Sequence, residues 1–149
     1  MTPSATMDEV TRLIETYGND VYRTIFVILR SKELAEDVYQ ETFLRVCRSF
    51  DKYRGEASEK TWIIGIAVNL CRDYMRSAWK KKVTVTDEFP TLADHDDTES
   101  IIEKRSERTE LVKAIMQLPE KYRKIIHLYY YQEMDINTIA KILIALTSK

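Results

Sequence analysis

Apolar residues recur at three-to-four spacing along most of this chain, and the polar positions between them divide it into helices. Val10, Leu13, Ile14, Tyr17, Val21, Ile25 and Ile28 predict a first helix over roughly 8–30, which Gly18 interrupts at modest cost. Ser31 suits the N-cap of a second helix, about 32–50, with Ala35, Val38, Tyr39, Thr42, Phe43, Val46 and Phe50 turned inward. Residues 51–57 read as a loop around Gly55, after which Ser58 can cap a third helix reaching about 82. That helix buries a wide face formed by Ile63, Ile64, Ala67, Val68, Leu70, Cys71, Tyr74 and Met75. At about 100° per residue, Gly65, Asn69, Arg72 and Arg76 fall in one sector of roughly 60°, bordered by Trp62 and Trp79. A narrow cationic stripe flanked by aromatic rings suits phosphate and an unstacked base.

The periodicity stops after Lys82. Residues 83–100 are polar and acidic around Pro90 and read as a flexible linker. A second helical unit is expected over 101–149. Leu111, Ala114, Ile115 and Leu118 form its first stripe, and Pro119 suits the opening turn of a helix that turns Tyr122, Ile125, Ile126, Tyr129 and Tyr130 inward. Asp135 can cap a last helix carrying Ile136, Ile139, Ala140 and Leu143. Three short helices, with small Ala140 where another helix must approach closely, have the form of the front half of a helix-turn-helix unit.

Composition supports this picture. Three Gly and three Pro in 149 residues, with Leu, Ile, Glu, Lys and Arg plentiful, predict an all-α chain of two small helical domains, 1–82 and 101–149. No apolar run approaches the roughly 20 residues that span a bilayer, and the first ten residues lack a signal-peptide pattern, so a cytoplasmic protein with no membrane insertion is expected. Cys47 and Cys71 sit among apolar neighbours and read as buried thiols.

The net charge of −1 conceals segregation. Glu33, Glu36, Asp37 and Glu41 cluster without a base, residues 60–82 carry Lys60, Arg72, Arg76 and Lys80 to Lys82 against Asp73 alone, and 87–99 carry six acids and no base. Separate faces for a protein and for nucleic acid fit this arrangement. On the second helix Asp37, Gln40, Glu41, Leu44 and Arg48 line the outer face, and a Leu ringed by charges at regular spacing fits protein docking. Enzymatic chemistry finds no support. No Gly-rich phosphate loop occurs, His95 and His127 lack ligand partners and read as solvent-side residues, and acids at helical spacing do not wrap a metal. No cofactor is expected.

The string AEDVYQETFLRVCRSFDKYRGEASEKTWIIGIAVNLCRDYMR resembles region 2 of bacterial RNA polymerase sigma factors, above all the extracytoplasmic-function (ECF) group, and LPEKYRKIIHLYYYQEMDINTIAKIL resembles the start of that group's region 4. The order and density of the matches carry the resemblance. It implies a transcription-initiation subunit whose partners are core RNA polymerase, promoter DNA and an anti-sigma factor. Asp37, Gln40, Glu41, Leu44 and Arg48 match the helix that docks on the clamp of the polymerase largest subunit. The loop from Lys52, Tyr53 and Arg54 to Ser58 matches the one that captures a flipped base of the −10 element, and Asn69, Arg72 and Arg76 match the helix at the element's upstream edge. Lys60 and Trp62 complete the expected DNA-binding set.

Two departures qualify the resemblance. Relatives more often carry an aromatic residue at the position of Glu59, where an acid is a poor neighbour for phosphate. Helix-turn-helix units place Gly or Asn four residues after the small Ala. Here that position is Ile144, and with the sequence printed to Lys149 the recognition helix is expected to be missing and −35 recognition impaired. A C-terminal lobe with an uncovered apolar seam, loose or self-associating, follows from that reading. The alternative function is a decoy that holds core polymerase or an anti-sigma factor without starting transcription.

Overall fold

The computed structural model describes the backbone over residues 6–81 and 102–147 and the side chains over 6–77 and 109–144. The acidic segment 83–100 with His95, and the side chain of Trp79, lie outside the described residues. Six α-helices, and no strand, occur among the described residues: α1 (Met7–Leu29), α2 (Lys32–Ser49), α3 (Glu59–Lys81), α4 (Ile102–Met116), α5 (Glu120–Ile126) and α6 (Ile136–Thr147). A 3-10 turn (Phe50–Lys52) ends α2, and a π-helical turn (His127–Tyr131) extends α5.

Helices α1, α2 and α3 pack on one another as a bundle. Their inward sets follow the apolar spacing: Leu13, Val21, Ile25 and Ile28 from α1, Ala35, Val38, Phe43 and Val46 from α2, and Ile63, Ile64, Ala67, Val68, Leu70 and Cys71 from α3 are all buried. Each large aliphatic side chain so buried contributes about 1.5–3 kcal/mol. The caps fall where the sequence places them. Ser31 Oγ accepts from the Leu34 amide at 3.2 Å, Ser58 Oγ from Thr61 at 3.1 Å, and Asp135 Oδ1 from Thr138 at 2.7 Å. An additional capping box, Thr6 with Glu9, starts α1.

The second half differs from expectation in which face turns inward. Tyr122, Ile125, Tyr129 and Tyr130 are exposed, as are Leu111 and Ile136. Arg123, His127, Leu128, Gln132, Met116 and Ile139 are buried instead. The reason lies in α1, whose last turn leaves backbone carbonyls without helical partners. Arg123 satisfies them, Nε donating to Val27 O at 2.6 Å and Nη2 to Ile28 O at 2.8 Å, while Nη1 donates to Leu118 O at 2.7 Å. Burial lowers the Arg123 pKa, yet the guanidinium stays charged at any ordinary pH.

His127 likewise is not a solvent-side residue. Its Nε2 lies 3.0 Å from Thr24 Oγ1 and 3.0 Å from Gln132 Nε2, and Gln132 Nε2 also donates to Asp20 O at 3.3 Å. The ring is therefore held between the Thr24 hydroxyl and the Gln132 amide, away from solvent. Burial, and then the charges of Arg23 and Lys60, push the His127 pKa down to about 4.

The apolar seam of the second half is therefore covered. Met116, Leu128, Met134 and Ile139 belong to the same buried cluster as the α1–α3 core, with Ile142 and Leu143 packed against it. Where a loose lobe is expected from the sequence, the structure shows a half docked on α1 and α3, because the bundle supplies the missing wall. Ile144 does not sit in a turn. It is helical and 63% exposed, and α6 runs through it to Thr147.

Candidate protein-docking and nucleic-acid faces

The outer face of α2 carries Asp37, Gln40, Leu44 and Arg48 exposed to solvent, with Glu41 half-buried. Glu41 pairs with Arg45 at 3.9 Å and Arg48 at 4.0 Å, both at the limit of contact. Leu44 is 50% exposed and borders an apolar groove of about 610 Å³ between α1 and α2, lined by Met7, Val10, Ile14, Tyr39, Gln40, Phe43, Leu44 and Cys47. An apolar depression beside an acidic helix face offers a partner both burial and charge complementarity.

The loop before α3 is closed on itself. Gly55 takes φ +78°, a conformation that side-chain-bearing residues seldom adopt, and the Tyr53 hydroxyl donates to Ala57 O. The rings of Phe50, Tyr53 and Trp62 form a cluster, with Tyr53 and Trp62 centroids 5.0 Å apart and tilted by 33°. Lys52 and Arg54 are exposed on either side of Tyr53. The sequence-predicted residues Lys52, Tyr53, Arg54, Ser58 and Trp62 are thus brought into one corner of the bundle. Lys60 turns toward α1, where its Nζ lies 3.7 Å from Asp20 Oδ2.

Glu59 proves to be a different kind of residue from the one the sequence suggests. Arg12 grips it with two parallel bonds, Nη1 to Oε1 at 3.0 Å and Nη2 to Oε2 at 2.8 Å, and the Tyr17 hydroxyl donates to Oε1 at 3.1 Å. The Arg12 bonds hold the Glu59 pKa below the usual carboxylate range, while burial and the Glu59 contact raise that of Tyr17. The acid is neutralised by a fixed partner, so it tethers the start of α3 to α1 and does not confront phosphate as a bare charge. Arg12 and Tyr17 were not among the sequence candidates. They lie 47 and 42 residues from Glu59, and no local spacing links them.

Along α3, Arg76 is exposed, while Asn69 and Arg72 are partly covered. Arg72 Nη2 lies 3.1 Å from Asp73 Oδ1, and Asn69 Oδ1 is buried without a hydrogen-bond partner. Gly65, first in the stripe, faces α6: a Cβ placed there would stand 4.0 Å from Ile142 Cγ1. Cys71 is buried, and burial raises its thiol pKa, so it stays protonated and unreactive, whereas Cys47 is half-exposed. Among the described residues no cluster of His, Cys, Asp and Glu is arranged to hold a metal ion, and no helix is long and apolar enough to cross a membrane.

The helices that carry the acidic face, the aromatic corner and the cationic stripe fall within a known family domain. Residues 13–81 correspond to sigma-70 region 2. The similarity extends over most of the chain. The ECF RNA polymerase sigma factor SigM of Bacillus subtilis is 31% identical over 138 residues, covering 93% of this chain and 82% of SigM. SigX of the same organism is 28% identical over 143 residues, covering 92% and 74%, and BldN of Streptomyces coelicolor is 26% identical over 139 residues, covering 91% and 52%. The chain belongs to the ECF RNA polymerase sigma factor family.

Proposed function

We propose that this chain directs RNA polymerase to promoters, with residues 1–82 acting as region 2 and 101–149 as a region 4-like unit across the acidic linker 83–100. Asp37, Gln40, Glu41, Leu44 and Arg48 dock on the clamp of the polymerase largest subunit. The observation that carries this reading is Leu44, half-exposed beside the apolar groove on an otherwise polar helix face. Lys52, Tyr53, Arg54, Ser58, Lys60 and Trp62 hold an extruded base of the −10 element, and Asn69, Arg72 and Arg76 face its upstream edge. Stacking and an exposed hydrogen-bonding edge suffice to read such a base. The chain performs no chemistry of its own; the polymerase does. It acts in the cytoplasm, and an anti-sigma factor is a further partner.

Recognition of the −35 element is weak in this reading, since α6 runs unbroken through Ile144, where a helix-turn-helix unit would turn. The same observation favours a second reading, a decoy that occupies core polymerase without starting transcription. Run-off transcription with purified core enzyme separates the two: transcript supports the initiating subunit, and binding without transcript supports the decoy.

The assignment of faces is tested by two paired variants. Glu41→Arg with Leu44→Arg should abolish binding to core enzyme with helical content intact. Arg72→Ala with Arg76→Ala should leave core binding unchanged and weaken promoter engagement with a shallower salt dependence. Open-complex formation unchanged by the second pair would refute the DNA assignment.

A further inference from the structure

We infer that Arg12, Glu59 and Tyr17 are positioning residues for the aromatic corner, a clamp that fixes the first turn of α3, and with it the Trp62 ring, against α1. Glu59 and Trp62 belong to that same turn, in which the Trp62 amide donates to Ser58 O at 3.0 Å. Arg12 meets both carboxylate oxygens of Glu59, at 3.0 and 2.8 Å, and the Tyr17 hydroxyl adds a third bond at 3.1 Å. Two parallel bonds set the angle between the groups as well as their distance. The third ties the turn to a ring that is itself packed on the bundle core. Trp62 carries this placement into the corner, its centroid 5.0 Å from that of Tyr53 and 6.2 Å from that of Phe50. The Tyr53 hydroxyl closes the loop onto Ala57 O, and the clamp joins the closed loop to α1.

The Arg12 side of the bridge is 49% exposed, and an ion pair so open to water adds little to global stability. Its value is geometric, because a base stacks on a ring only when the plane of that ring is held in place. This inference rests on the assignment of the corner to an extruded base proposed above. It reverses the sign that charge alone would give. A free acid at position 59 would repel a DNA strand, and removing its charge would tighten binding. An acid that is half of a clamp aligns the corner, so removing its charge loosens binding even though Arg12 is thereby released as a cation.

The test is titration of the full chain, assembled with core RNA polymerase, with a short fluorescein-labelled DNA single strand of randomised sequence. Glu59→Gln should weaken strand binding about tenfold, the equivalent of one lost base–ring stack, with core-enzyme affinity and the melting temperature of the free chain unchanged. Tyr17→Phe keeps the fork and should weaken it by about twofold. Equal or tighter strand binding by Glu59→Gln overturns the inference. Should that variant be destabilised, Arg12→Lys decides, because it keeps the charge at an exposed site and cannot make two parallel bonds. Weaker strand binding by Arg12→Lys supports the clamp, and unchanged binding contradicts it. Strand binding indifferent to both Trp62→Ala and Tyr53→Ala would sink the assignment of the corner to DNA. Dependence on those rings with no loss from Glu59→Gln would sink the clamp alone.

Discussion

In α1–α3 the residues turned inward are mostly Leu, Ile, Val, Ala and Phe at helical spacing, whereas in α5, its π-helical extension and the residue after it they include Arg123, His127 and Gln132. The first half is held by apolar burial, which is nondirectional and tolerant. The second shares that apolar cluster through Met116, Leu128, Met134 and Ile139 and is further fastened by a few buried hydrogen bonds, which are directional and costly to break. Breaking those directional bonds should loosen the second half while the bundle stays folded.

The largest effect should come from the bundle. Ile63→Ala empties a fully buried site and should cost about 2–5 kcal/mol, unfolding both halves together in a denaturant titration followed by circular dichroism. Loss confined to α4–α6 would show that the halves do not depend on one another in the order described. Arg123→Ala leaves the carbonyls of Val27, Ile28 and Leu118 without their donor and should cost about 3 kcal/mol, read as hydrogen-exchange protection lost from α5 and α6 and kept in α2 and α3. Arg123→Lys should not rescue it, since a single ammonium cannot span three acceptors in that fork.

Acid should act in the same direction as Arg123→Ala. His127 is neutral when folded with its pKa near 4, against about 6.5 unfolded, so between those values the unfolded chain binds more protons. The contribution of His127 is complete above about pH 6.5 and falls away toward pH 4, by on the order of 3 kcal/mol in total. Glu59, whose pKa is lowered by Arg12, also loses its contribution as pH falls. Replacing His127 by Gln should flatten the pH dependence of α5–α6 protection, and an unchanged profile would remove His127 from the account. The smallest change is at a cap: Ser31→Ala should cost about 1 kcal/mol by thermal melting, without altering either face.

The same contrast explains what the sequence disclosed. The three bundle helices, the caps Ser31, Ser58 and Asp135 and the stripe on α3 follow from spacing and local hydrogen bonding, and each lies where those rules place it. The inward face of α5 is not legible in the sequence because periodicity weighs apolar residues only. Tyr122, Ile125 and Tyr129 were expected inside, yet the open carbonyls of α1 draw in Arg123, and the π-helical turn displaces the residues after it from α-helical register. The partner of Glu59 was hidden by distance along the chain. Leu44 was legible as an anomaly, though the groove beside it, formed with Met7, Val10 and Ile14 of α1, was not.

If α2 docks on polymerase through a face built around Leu44, that side chain is required for binding. The most direct measurement is titration of a fluorescently labelled chain with purified core RNA polymerase, native protein beside Leu44→Arg. Saturable binding by the native chain, lost in Leu44→Arg at undiminished helical content, is the predicted result. Binding that is absent from the native chain, or equally strong in the variant, would contradict it.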